Sequence, residues 1–176
     1  MTSAVPYDDM KHRTRSEGLV TMRPNDDLRD FVEPVRLLVT GADTKGRLAL
    51  AEIRATRGAE PPRHLHHWED EIVYVLAGEV TFYVDGAPLA RPAGTCVVLA
   101  AGREHAYAVS SEEARLLVIA VPAGLEDLYA ELDGANAGNR PDIERLVTSG
   151  ARHGVEVTGP APEPARPNGH APGRGA

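Results

Sequence analysis

The chain has a single cysteine, Cys96, so no internal disulfide framework can brace it and its stability must come from a packed core. No run approaches the roughly 18 consecutive apolar residues that a membrane-spanning helix needs. The opening segment MTSAVPYDDMKHRTR carries no apolar stretch of signal-peptide length, so a cytoplasmic location is expected. Basic residues are outnumbered, 19 Lys and Arg against 26 Asp and Glu, for a formal net charge of -7. That balance argues against a nucleic-acid or anionic-membrane partner. No internal repeat is evident, and no segment of helical period interrupts residues 35–121, which argues against a βαβ architecture there. Cys96 itself lies in the apolar run Thr95-Cys96-Val97-Val98-Leu99 and reads as a small buried thiol; no general base stands beside it.

What is present is ordinary globular material with one unusual concentration. Hydrophobic residues make up 42% of 176 residues, enough for one domain with a real core. There are seven histidines, and four of them fall between residues 64 and 105. His64 and His66 are separated by one residue, and in a strand residues i and i+2 face the same way. Both imidazoles can therefore grip one ion from one strand. The polar segment His67-Trp68-Glu69-Asp70 reads as a tight turn, and Glu71 opens the apolar run Ile72-Val73-Tyr74-Val75-Leu76, which reads as the returning strand of a hairpin. Two imidazoles and a carboxylate suit a divalent transition metal. A fourth ligand, His105, follows a Gly turn at Gly102 and opens another strand. His67 is expected to point outward, Glu69 and Asp70 to act as turn acids with a solvating or supporting role, and His12, His153 and His170 to be surface or hydrogen-bonded residues.

These segments resemble the two sequence motifs of the cupin family. The first, G-x5-H-x-H-x4-E-x6-G, is filled by Gly58, His64, His66, Glu71 and Gly78. The second, G-x5-P-x-G-x2-H-x3-N, is matched by Gly94, Gly102 and His105, while Ala100 replaces its proline and Val109 its asparagine. The resemblance covers roughly residues 35 to 122 and implies an all-β jelly-roll barrel with a metal held by His64, His66, Glu71 and His105. Fe, Mn, Ni, Co, Cu and Zn all suit that donor set. The flanking runs TGADTKGRLALAEI, VPAGLEDLYAELDG and IERLVTSGARHGVEVTGP are similar to those of bacterial quercetinase-like single-domain cupins. That similarity implies a dioxygenase acting on an aromatic or enolic substrate, with Glu71 as the base and dioxygen as co-substrate. A redox-neutral cyclase or isomerase on a polyketide-like substrate, and a non-enzymatic metal- or ligand-binding barrel, are the alternatives.

The remaining chain divides around the barrel. Residues 1–34 read as an N-terminal arm in which Leu19–Met22 forms a short strand and Asp26 or Asp27 caps one helical turn. Short strands with Gly turns follow from Val35, including a hairpin about Asp85-Gly86 and a buried strand over Arg115–Val121. Gly41–Gly46 reads as a turn. Over residues 123–158 the period becomes helical: Leu125, Leu128, Tyr129 and Leu132 share one face, and a second helix from Pro141 puts Ile143, Leu146 and Val147 on another. Val155–Val157 suggests an edge strand, and residues 159–176, rich in Pro, Gly and Ala, read as a disordered tail. Strand alternation from Glu71 and His105 places Val73, Val75, Tyr107 and Val109 on an apolar substrate-pocket wall, with Tyr107 read first as barrel filling. Open strand edges lead to the expectation of a homodimer.

Overall fold

The computed structural model describes residues 14–16, 19–21, 35–132 and 143–163. The expected helical turn at Asp26 or Asp27 lies outside these, as do residues 164–176. Strands β1 (Thr14–Ser16) and β2 (Leu19–Thr21) form a small antiparallel hairpin of their own. Leu19–Thr21 was expected as a strand; its partner lies in a polar stretch that carries no strand pattern.

The barrel begins with β3 (Val35–Val39), followed by the one-turn helix α1 (Gly41–Thr44) in place of the expected turn. Thr40 and Asp43 explain the helix, since each caps the other: the Thr40 backbone N–H donates to Asp43 Oδ2 at 3.0 Å. Lys45, in the left-handed region at φ 58, ends it. Then come β4 (Ala49–Thr56), β5 (Arg63–His66), β6 (Asp70–Ala77), β7 (Glu79–Val84), β8 (Ala87–Pro92), β9 (Cys96–Leu99), β10 (His105–Val109) and β11 (Glu113–Val121). Asp85 (φ 48) and Gly86 (φ 79) make the two-residue β7–β8 turn, in which both positions need the left-handed region. Helices α2 (Leu125–Leu132) and α3 (Ile143–Arg152) and the strand β12 (Val155–Gly159) close the chain. Beyond Gly159 the Arg63 backbone N–H reaches Pro160 O at 3.4 Å, and Pro162 is buried.

Two five-stranded antiparallel sheets result, in the orders β12-β5-β10-β7-β8 and β3-β4-β11-β6-β9. Period-2 alternation builds the space between them. Ala49, Ala51, Ile53 and Ala55 of β4 and Ala114, Leu116, Val118 and Ala120 of β11 all face inward, as do Val73 and Val75 of β6. Phe82, not Tyr83, is the inner aromatic of β7 and is fully buried. Leu116, Phe82, Val75, Val80 and Val109 are the largest fully buried apolar side chains, each worth about 1.5–3 kcal/mol of burial.

The sheet order corrects the expected signature hairpin. β5 and β6 do not pair; they belong to opposite sheets, so His67–Glu69 crosses the barrel's edge. Cys96 is also corrected: it is exposed on the outer side of β9, while Val97 and Leu99 point in. The run looked uniformly apolar because Val98, 63% exposed, shares that outer face.

Helix α2 packs Leu125, Leu128 and Leu132 against the barrel together with Ala120 and Val155, with Tyr129 and Leu146 at the margin. Glu126 pins its start, accepting from Gly41 N at 2.6 Å and Gly124 N at 2.8 Å. Helix α3 departs from its expected face. Ser149 and Gly150 are its buried residues, while Ile143 and Val147 are exposed. Contact with β12 decides this, because Gly150 lies so close to Val155 that an added Cβ would sit 2.9 Å from the Val155 carbonyl.

Candidate metal centre

His64 and His66 leave β5 on the same side, and His105 lies directly opposite His64 in the β5–β10 ladder. Glu71 comes from β6 in the facing sheet, where it pairs with Leu99 and Ala120. Three imidazoles from one sheet thus meet a carboxylate from the other. Two backbone bonds anchor the crossover: the His67 N–H donates to Gly154 O and the Gly102 N–H to His66 O, each at 2.7 Å. Asp70, one of the two turn acids, accepts from the Ala101 N–H at 2.8 Å. His67 points away, as expected, with its Nε2 3.1 Å from Glu156 Oε2.

The donor atoms of His64, His66, Glu71 and His105 all lie within 4.8 Å of one another. Glu71 Oε2 is 3.2 Å from His105 Nε2 and 3.7 Å from His66 Nε2. The ring centroids are 4.5 Å (His64–His105), 5.1 Å (His64–His66) and 5.2 Å (His66–His105) apart. Second-nitrogen contacts orient two rings: His64 Nδ1 lies 2.7 Å from Pro62 O, and His105 Nδ1 lies 3.0 Å from Arg103 O. Donating Nδ1–H to a carbonyl leaves the Nε2 lone pair free for a ligand.

The electrostatics have opposing causes. Burial, then the neighbouring His105 and His66, lower the His64 imidazole to about 3. Burial would raise Glu71, yet the surrounding histidines override it and hold the carboxyl at about 2. Burial would likewise depress His66, but the Glu71 and Glu69 carboxylates outweigh it and the imidazole ends above its ordinary value. His66 Nε2 and His105 Nε2 are buried with no hydrogen-bond partner. Convergent, partnerless imidazole nitrogens beside an ionised carboxylate fit a divalent ion, and these residues could hold one.

Above the ligands lies a cavity of about 120 Å³ with an almost wholly apolar wall. Of the four residues expected on that wall, Val73 and Tyr107 line it. Val75 and Val109 do not; both are fully buried in the barrel core. Each two-residue step along a strand moves a side chain about 6.6 Å, which carries Val75 and Val109 past the cavity floor. Tyr107 borders the cavity, and its ring centroid lies 6.2 Å from that of Phe82. Sequence reasoning missed the opposite wall, where Leu125, Leu128, Leu132 and Leu146 come from the helices. Their helical period was visible; the end of the barrel they cover was not. It also undervalued Glu69, which is 2% exposed and lies beside His66 instead of in solvent.

Residues 52–120 match the family described as Cupin domain. A curated relative, quercetin 2,3-dioxygenase of Bacillus subtilis (strain 168), is 22% identical over 104 residues, covering 59% of this chain and 31% of that protein. The chain therefore spans only about a third of that relative's length. Among solved structures, KdgF from Halomonas sp. superposes with TM-score 0.51 at 18% identity, over 55% of this chain and 86% of that one. The EutQ protein of Clostridium difficile does so at 0.50 and 19%, over 63% and 94%. At these identities the two structures speak for the fold alone. Domain match, paired sheets and motif residues agree: residues 52–120 of this chain form a cupin domain.

Proposed function

We propose that the protein is a metal-dependent oxygenase, a quercetinase-like dioxygenase that acts on an aromatic or enolic substrate. The observation that carries this reading is the placement of His64, His66, Glu71 and His105 against an apolar cavity. The distant quercetin dioxygenase relative supports it. A divalent ion bound by these four residues would act as a Lewis acid on a phenol or enol oxygen.

The chain's own residues account for the rest. Val73, Leu116, Leu128 and Tyr129 enclose an apolar ligand and keep water from it. Glu71 stays ionised at neutral pH and is the only one of the four ligands that is a carboxylate, so it is the residue able to take the substrate's hydroxyl proton. A carboxyl held near 2 is a weak base. It accepts that proton only from a hydroxyl whose acidity has itself been raised, which confines the chemistry to activated substrates.

The test is oxygen consumption by metal-reconstituted protein with flavonols and simpler enols, wild type beside Glu71→Gln. Substrate-dependent uptake that falls by about 10²- to 10⁴-fold in the variant is the expected result. Turnover of an enolisable substrate at full rate without dioxygen would replace the oxygenase by a cyclase or isomerase.

A further inference from the structure

The three imidazoles are not held alike. His64 and His105 each direct Nδ1 at the carbonyl two residues earlier, Pro62 O at 2.7 Å and Arg103 O at 3.0 Å. For His66 the residue two earlier is His64, inside β5, where it pairs with Val157 in the ladder. No carbonyl takes that place, and His66 Nδ1 is buried without a hydrogen-bond partner. What faces it is a carboxylate: Glu69 Oε2 lies 3.7 Å away, and it too is buried and partnerless. Both side chains are 2% exposed.

A buried carboxylate and a buried N–H, each lacking a partner and facing one another, are complementary. Closing 3.7 Å to a charge-assisted bond of about 2.8 Å takes a shift of under about 1 Å, within reach of rotation about the Glu69 side chain. The fold also leaves room for this carboxylate. Glu69 Oε1 lies 2.9 Å from the point where a Cβ on Gly124 would stand, so any larger residue there would displace it.

We propose that Glu69 is a positioning residue for the metal centre: it accepts the Nδ1–H of His66, fixes that ring's tautomer and orientation, and strengthens Nε2 as a donor. Ligating histidines are commonly held by a carboxylate in this way. Here it makes His66 the one imidazole backed by a negative charge, while His64 and His105 are backed by neutral carbonyls. The inference rests on the metal-centre reading and is independent of the substrate.

Cobalt(II) affinity of the full chain, measured by chelator competition with the visible d–d spectrum recorded in parallel, tests it. Glu69→Gln keeps an acceptor without the charge, and Glu69→Leu removes both. Affinity is expected to fall about tenfold in the first and about 100-fold in the second, with a changed cobalt spectrum. Melting temperatures of the metal-free variants report on folding: Glu69→Gln, which keeps a polar acceptor beside His66, should stay close to wild type, and Glu69→Leu, which leaves the buried His66 Nδ1 facing an apolar group, should melt lower. A folded Glu69→Gln with wild-type affinity and spectrum would overturn the proposal, as would a wild type that binds no cobalt. Graded loss of cobalt in a protein that consumes no oxygen would leave Glu69 in place and remove the dioxygenase.

Discussion

Metal affinity measured by chelator competition from about pH 7.5 to about pH 5.5 should fall by roughly tenfold or more per unit at the acid end. A ligand must shed its proton to bind, so the slope of log affinity against pH counts the ligands that are protonated in the metal-free protein. Glu71, held ionised down to about 2, adds nothing in this window. His64, kept neutral down to about 3 by burial and by the neighbouring imidazoles, adds nothing either. His66 does the reverse: raised above 6.5, it carries its proton through the acid half of the range and adds one. At least one proton therefore leaves on binding at the acid end, a slope of one or more, and each unit of slope is about 1.4 kcal/mol per pH unit. A flat profile would mean that His66 is neutral throughout. A slope of three would mean that His64 titrates like an ordinary imidazole. Either result refutes the charge balance described for the centre. The metal-free fold follows the same shifts. Glu71 contributes stability that is present above 4.5 and lost as pH falls toward 2. His64 also costs stability as pH falls, from 6.5 toward 3, because the unfolded chain takes the proton first. His66 opposes both, its contribution being complete below 6.5 and lost as pH rises through its raised value.

Two further outcomes concern the scaffold. Gly78 and Gly86 share nearly the same backbone, φ 80 and 79, but a Cβ on Gly78 would meet Glu113 O at 2.5 Å and Ser111 Oγ at 2.7 Å, whereas Gly86 faces open space. Gly86→Ala should cost about 1–2 kcal/mol in urea denaturation, and Gly78→Ala about 1–3 kcal/mol more; equal midpoints would show that the barrel yields at this corner. The homodimer we propose uses the outer face of β6 and β9, where Tyr74, Leu76 and Val98 are 39%, 38% and 63% exposed. Charges beside that face are already paired within the chain, Arg115 with Glu52 at 2.7 Å and Arg54 with Glu113 at 3.5 Å, so a second copy meets no net repulsion there. Light scattering should give twice the chain mass and Tyr74→Lys one chain mass; a monomeric wild type removes the dimer.

Much of the centre was legible before any fold was known, for a local reason. Side-chain direction in a strand has period 2, so His64 and His66 had to share a face wherever their strand went. Glycines that need positive φ, such as Gly86 and Gly102, likewise announce their turns. The helical stripe of Leu125, Leu128 and Leu132 declared a buried face in the same way.

Sheet membership is not a local property, and that is where sequence reading stopped. A short polar link between β5 and β6 serves a hairpin or a crossing between sheets equally well; only long-range pairing of β5 with β10 and β12, and of β6 with β9 and β11, makes it a crossing. The same pairing turns Cys96 outward, carries Val75 and Val109 below the cavity, and folds Glu69 under His66. The sequence by itself thus determined which residues can bind a metal and that they share a barrel. Tertiary structure alone decided that the carboxylate faces the imidazoles from the opposite sheet, that helices roof the cavity, and that a turn acid became buried beside His66. Those outcomes depend on contacts between residues far apart in the chain, which no local periodicity encodes.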